Sequence, residues 1–358
     1  MENLYIINCK KIINYNNMKR IEYISNGSPE VLKVRDFTLP EPKNDEIQIQ
    51  TSYAGINFSD IMSRMGLYPG APKPPHPIGS EASGVITKIG KDVTKFKIGD
   101  SVMTFVFFNG YSSHINVQEN LAMQLPEQFS LEQGSAFPLV YMTAYMMMFD
   151  LGNLKKNEVF FIQGAGGGVG TAAIQLAKTV GAKIIGTSSK WKHKQLKDMG
   201  VDLCIDYNND NVRKKIMEFT DGYGADLIID PIGGKQWSES YKILAPMGKL
   251  IVYGNQNLVS GNTRSLLAFI KEYFNMPTIK PFEMIGSNKS IMGYHLGKLK
   301  GAEHKVQRSM VGLLKIINQN NAIKPVIDSI FPFDEAYKAH QHIQDRKNFG
   351  KVLLDFRK

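Results

Sequence analysis

The segment Val159-Phe160-Phe161-Ile162-Gln163-Gly164-Ala165-Gly166-Gly167-Gly168-Val169-Gly170 constrains this chain more than any other. An apolar run rich in β-branched and aromatic residues stops abruptly at glycines. A helix-period pattern follows, with Ala173, Leu176, Ala177 and Val180 on one face. That order predicts a strand, a tight turn and a helix. The spacing A-x-G-x-x-G puts Ala165 where a dinucleotide fingerprint usually has its first glycine, then Gly167 and Gly170. The first position makes the turn. Gly167 admits a pyrophosphate close to the backbone, and Gly170 lets the helix pack against the strand. Gly168 and Val169 open the helix, whose free N–H groups face the anion. A second strand, Lys183–Thr187, follows on schedule, which separates this loop from a merely structural one.

With 358 residues the chain is expected to hold about two domains. No apolar run reaches the ~18 residues that span a bilayer. The two cysteines, Cys9 and Cys204, are far apart, which disfavours a disulfide framework or a four-cysteine zinc site and fits a reducing cytoplasm. The net charge of +10 suits an anionic ligand. No basic tract or known motif concentrates it, so nucleic acid is not an expected partner.

Residues 1–17 read as an N-terminal extension, too short and polar for a signal peptide. Residues 18–142 read as mostly β, with Glu46–Thr51 and Gly84–Gly90 as alternating strands. Between them, Ser59 or Asp60 is placed to cap a short helix. A helix is expected over Tyr141–Gly152. From 143 to 297 strands alternate with helices, which argues for an α/β unit with a parallel sheet covered on both faces. Residues 298–358 start with a helix near 302–318 and return to the first domain, with Ile323–Ile327 and Lys351–Asp355 as strands. The stretch Leu266–Phe274 carries an apolar stripe at 266, 269, 270, 273 and 274, flanked by Arg264, Lys271 and Lys280.

Several motifs stand in series: Asn57-x-x-Asp60, Gly66-Leu67-Tyr68-Pro69, Gly79-Ser80-Glu81-Ala82-Ser83-Gly84, Gly99-Asp100-Ser101-Val102, Thr143-Ala144-Tyr145, the glycine turn and Gly350-Lys351-Val352-Leu353-Leu354-Asp355. Together they resemble the medium-chain dehydrogenase/reductase superfamily, in its zinc-free, quinone-oxidoreductase-like branch, from about Met18 to Lys358. Within that branch, Gly66–Pro72, Ala136-Phe137-Pro138 and Tyr253-Gly254-x-x-Asn257-x-Val259-x-Gly261 resemble the vesicle amine transport protein group. The resemblance implies a GroES-like, mostly β catalytic domain and a Rossmann cofactor domain. Zinc members of the superfamily carry Gly-His-Glu where this chain has Gly79-Ser80-Glu81. With no cysteine between Cys9 and Cys204, His76 and Glu81 alone fall short of the three ligands of a catalytic zinc, so no metal is expected.

The second strand ends in Thr187-Ser188-Ser189-Lys190 without the carboxylate that binds an NAD ribose. Ser188, Lys190 and Lys194 instead suit a 2′-phosphate, and Tyr207 matches the family's binding tyrosine, so NADPH is the expected cofactor. The resemblance further implies Thr143 at the nicotinamide ribose, and Tyr253, Gly254 and Asn348 along the rest of the cofactor cleft. It implies hydride transfer to a quinone or an α,β-unsaturated carbonyl. Tyr68 stands where related enoyl reductases keep a proton-donating tyrosine, although its ring equally suits packing beside Pro69. Asn57 is expected to orient the nicotinamide or the substrate oxygen. Asp60 is expected to cap or pair rather than to act in catalysis.

Two alternatives stand beside the reductase. One is an NADPH-regulated protein that contacts lipid through the 266–274 stripe, for which a lid helix or dimer contact is the preferred explanation. The other is a stand-alone enoyl reductase acting on carrier-bound acyl chains. A homodimer is the expected assembly, joined at the 290–296 strand.

Overall fold

The computed structural model describes residues 18–259, 261, 265–321 and 323–357. The extension 1–17, Arg264 and the side chains of Leu266 and Phe269, all singled out by the sequence, lie outside the described residues.

The β-rich part contains β1 (Lys19–Tyr23), β2 (Leu32–Asp36), β3 (Glu46–Ile56), α1 (Phe58–Arg64), β4 (His76–Pro77), β5 (Glu81–Ile89), β6 (Ser101–Phe105), β7 (His114–Gln118) and β8 (Ala122–Gln124). Helices α2 (Leu131–Ser135) and α3 (Pro138–Tyr145) lead out of it. The alternating unit follows: β9 (Val159–Ile162), α4 (Gly168–Val180), β10 (Lys183–Ser188), α5 (His193–Asp198), β11 (Leu203–Asp206), α6 (Val212–Phe219), β12 (Ala225–Asp230), α7 (Lys235–Ile243), β13 (Leu244–Val252), α8 (Leu266–Asn275), α9 (Pro281–Ser287) and β14 (Ser290–Gly293). The chain ends with α10 (Glu303–Gln319), β15 (Ile327–Pro332), α11 (Ala336–Gln344) and β16 (Lys351–Asp355).

Strands β9 to β14 form a parallel sheet in the order β11-β10-β9-β12-β13-β14. This is the doubly wound order, with its switch point between β9 and β12. All four residues of β9 are buried, as a central parallel strand requires. A larger sheet runs β15-β16-β3-β5-β6-β8, with β7 paired to β3, and β1, β2 and β4 form a small third sheet. The last strand, β16, lies antiparallel beside β3, so the C-terminus completes the first domain's sheet. One apolar core joins Phe137, Met142, Phe160, Leu176 and Leu313, spanning α3, β9, α4 and α10.

Two boundaries differ from the sequence reading. The helix expected over Tyr141–Gly152 starts at Pro138, whose missing N–H costs nothing in a first turn, and passes into a π-helical turn over Met146–Leu151. The strand expected over Ile323–Ile327 starts only at Ile327. Pro325 has no N–H for a ladder, and Lys324 is tied at both backbone groups to the Gln175 side chain on α4.

Candidate functional site

The glycine turn sits at the carboxyl end of β9. Gly164 takes φ +70°, the left-handed conformation that turns the chain. Ala165 is fully buried, and its N–H donates to the Thr187 carbonyl at 2.9 Å, so the first fingerprint position needs no glycine. The remaining glycines divide by role. A Cβ on Gly170 would lie 2.4 Å from the Ala165 carbonyl oxygen, so only glycine lets α4 pack this closely. A Cβ on Gly167 would meet only the Gly164 oxygen, at 3.4 Å, which leaves open space beside the first turn of α4. Gly168, Val169 and Gly170 form that turn, and the backbone N–H groups of a first turn lack intrahelical partners. Glycine-lined space in front of free N–H groups fits a pyrophosphate.

Ser188 ends β10 and is buried; its hydroxyl donates to the Ser189 carbonyl. The neighbouring Ser189 hydroxyl is 2.9 Å from the Tyr207 phenol oxygen. Lys190 and Lys194 both point to solvent. The lysine that turns inward is Lys192, between them. Its Nζ donates to the Asn348 carbonyl at 2.5 Å, and its Cδ would lie 2.6 Å from a Cβ on Gly166. Burial lowers its pKa to about 8. The sequence does not single out Lys192 or Ser189 among their neighbours, because the run Lys190-Trp191-Lys192-His193-Lys194 gives no sign of which lysine faces the loop.

Across the turn stands a buried polar cluster. Lys351 Nζ donates to Glu81 Oε1 at 2.6 Å, to the Ile56 carbonyl at 2.6 Å and to Asn57 Oδ1 at 2.7 Å. Asn57 Nδ2 donates to Glu81 Oε1 at 2.9 Å, and the Leu139 N–H to Glu81 Oε2 at 2.8 Å. Lys351 Cδ would lie 2.8 Å from a Cβ on Gly168, so the cluster abuts the start of α4. The Gly350 N–H donates to the Gly166 carbonyl at 3.0 Å, stitching β16 to the glycine turn. Both ends of the Asn57 amide are engaged within the protein, where they brace the Glu81–Lys351 pair.

Tyr68 lies between the two halves of the molecule. Its ring packs against Phe108 and against His295, which follows β14, with centroids 6.4 and 5.2 Å away. Burial, then the nearby Asp60 charge, pushes the Tyr68 phenol up to about 12. It therefore stays protonated at neutral pH and suits hydrogen-bond donation. Asp60 sits in the first turn of α1 and accepts from the Asn57 N–H at 2.9 Å. Thr143 is buried on α3, Tyr253 and Gly254 follow the carboxyl end of β13, and Asn348 precedes β16 with its Nδ2 donating to the Gly350 carbonyl. The structure thus gathers Asn348, Lys192, Gly166 and Lys351 around the glycine turn and sets Ser189 beside Tyr207 at the tip of β10. It leaves Lys190 and Lys194 outside.

The residues of this cleft do not fit a catalytic zinc. Both Glu81 oxygens are taken by Lys351, Asn57 and Leu139, and the Ser80 hydroxyl donates to Asp60. Among the described residues no group of three His, Cys, Asp or Glu side chains is arranged to hold a metal ion.

Residues 43–147 match the family described as alcohol dehydrogenase GroES-like domain, and residues 168–315 the family described as zinc-binding dehydrogenase. The chain is 36% identical over 324 residues to the synaptic vesicle membrane protein VAT-1 homolog of Rattus norvegicus, covering 90% of this chain and 80% of that one. It is similar to the crystal structure of the human synaptic vesicle membrane protein VAT-1 homolog-like protein, with a TM-score of 0.82 and 30% identity over 96% of this chain and 99% of the other. It is also similar to Escherichia coli quinone oxidoreductase complexed with NADPH, with a TM-score of 0.80 and 30% identity over 94% of this chain and 99% of that one.

Proposed function

The chain belongs to the medium-chain dehydrogenase/reductase family, in its quinone-oxidoreductase-like branch, and on that premise we propose that it is an NADPH-dependent, zinc-independent reductase of quinones or α,β-unsaturated carbonyls. The observation that carries this reading is the pairing of the glycine turn with a β10 tip that offers hydroxyls and an ammonium in place of a carboxylate. When bound, the reduced nicotinamide dinucleotide supplies a hydride. The chain's own residues hold it. The first-turn N–H groups of α4 receive the pyrophosphate, and Ser189, Tyr207 and Lys192 receive the 2′-phosphate through hydrogen bonds and charge. Thr143, Tyr253, Gly254 and Asn348 line the nicotinamide end. With no metal to polarise the substrate, Tyr68 donates a hydrogen bond to the carbonyl oxygen as charge grows on it. A homodimer extended along β14 accompanies this reading; among the described residues β14 pairs only with β13.

Purified protein is expected to oxidise NADPH with a simple ortho- or para-quinone, or with a small enone. Dinucleotide binding without turnover across a broad panel of both classes would remove the catalytic claim.

One observation favours a second reading, contact with a lipid surface. Helices α8 and α9 turn large apolar side chains outward, with Phe274 79% and Phe282 87% exposed beside Leu267 and Ile285. No helix among the described residues is long and apolar enough to cross a membrane. Co-sedimentation with anionic liposomes is expected for the wild-type chain under this reading and is lost in Phe274→Asp/Phe282→Asp. Equal sedimentation of the two proteins discards it.

A further inference from the structure

Asp60 is buried, yet the roles assigned above use it only as a helix cap. Its carboxyl accepts three hydrogen bonds: Ser80 Oγ donates to Oδ1 at 2.6 Å, while Tyr111 Oη and the Asn57 N–H both donate to Oδ2 at 2.9 Å. Behind Tyr111 lies His340, its Nε2 3.3 Å from the phenol oxygen and its Nδ1 3.5 Å from Arg64 Nη1. A guanidinium only donates, so Nδ1 accepts and Nε2–H points at Tyr111. Arg64 is fixed in turn by the Gln344 side-chain oxygen at 2.5 Å. Tyr111, His340 and Arg64 are fully buried, and Ser80 is half-buried. Of the three residues that donate to the Asp60 carboxyl, Ser80 alone is not buried. Ser80 directly precedes Glu81, the partner of Lys351 beneath the glycine turn.

We propose that Asp60 and Ser80 are the proton-delivery pair of the reduction, Asp60 storing the proton and Ser80 passing it to the substrate. The proposal rests on the reductase reading. The substrate accepts a hydride from the reduced nicotinamide dinucleotide; a C–H bond forms at its β-carbon, the dinucleotide is oxidised, and negative charge is left on the substrate oxygen. In the protonated carboxyl the 2.6 Å Ser80–Asp60 hydrogen bond is reversed, Oδ1–H donating to Ser80 Oγ, and the Ser80 O–H proton goes to the substrate oxygen as the Asp60 proton moves to Ser80 Oγ. Asp60 ends as a carboxylate and regains a proton from solvent through Ser80 after product leaves. Tyr111 and His340 are positioning residues that hold the carboxyl. The titratable and charged groups around Asp60 are Tyr111, His340 and Arg64 behind it, Tyr68 in front, and Lys351 with Glu81 beside it. Burial raises the Asp60 carboxyl to about 6, against the pull of its donors and of Lys351, so it carries a transferable proton close to neutral pH. Tyr68, at about 12, is the poorer proton source.

The test is the pH profile of kcat/KM for enone reduction in Ser80→Ala and Ser80→Thr. In the wild-type enzyme the rate falls as pH rises through about 6, because the protonated carboxyl is the active form. Ser80→Ala is expected to lose about 100-fold and to flatten that fall, while Ser80→Thr restores both. A second readout needs no dinucleotide. Infrared titration of the free protein is expected to show a carboxyl band that titrates near pH 6 and is missing in Asp60→Asn, beside the band of buried Asp230, which is also raised to about 6 and stays in that variant. Wild-type rate and profile in Ser80→Ala, or no such band, overturns the proposal. A wild-type enzyme that reduces nothing while the band still titrates defeats the reductase reading first, and the delivery role with it.

Discussion

Lys351 shows what one ammonium does when it is taken out of water. It satisfies a carboxylate, an amide oxygen and a backbone carbonyl together, all buried. Replacing it by methionine keeps the volume and leaves the Glu81 charge buried with only the Asn57 and Leu139 N–H donors. Lys351→Met is expected to cost about 3–5 kcal/mol in urea unfolding, and Lys351→Met/Glu81→Gln to recover part of that loss. A loss below about 1 kcal/mol would show the pair to be weakly coupled to the fold. This pair was not legible in the sequence. Glu81 and Lys351 are 270 residues apart, and no local pattern joins them. Asn57 was legible as a special position, but its partners Glu81 and Lys351 were not.

At the scale of elements, the strand–turn–helix of β9 and α4 was fully written in the order of residue types. Apolar β-branched and aromatic residues, glycines and then a 3.6-residue period leave few other solutions. The two glycines of its fingerprint act differently, and that separates two variants. Gly167→Ala has room for its methyl group, so it is expected to fold normally and bind NADPH about tenfold more weakly, because the methyl group fills the phosphate's space. Gly170→Ala forces α4 away from the turn and is expected to lower thermal stability as well as binding. Equal melting temperatures for the two variants would contradict this division. Elements held by tertiary partners were harder to read. The segment before β15 has strand composition, but Gln175 on α4 claims its backbone groups. The inward lysine of the β10 tip depends likewise on where β16 returns, since Lys192 is held by the Asn348 carbonyl.

At the scale of the whole molecule, the two larger sheets meet at the glycine turn. The cofactor sheet offers the carboxyl ends of its strands, and the last strand of the chain brings Asn348, Gly350 and Lys351 back against the glycine turn. A net charge of +10 adds a diffuse attraction for an anion but no address for it. On the proposed reading the address is the turn, with Lys192, Ser189 and Tyr207 placed to select the phosphorylated adenosine ribose. Isothermal titration calorimetry on the folded, full-length protein measures that address without requiring a substrate. It is expected to register NADPH binding at least about tenfold tighter than NADH, with the difference removed in Lys192→Ala. No heat of association with either dinucleotide, from protein whose fold is verified by circular dichroism, would contradict the account.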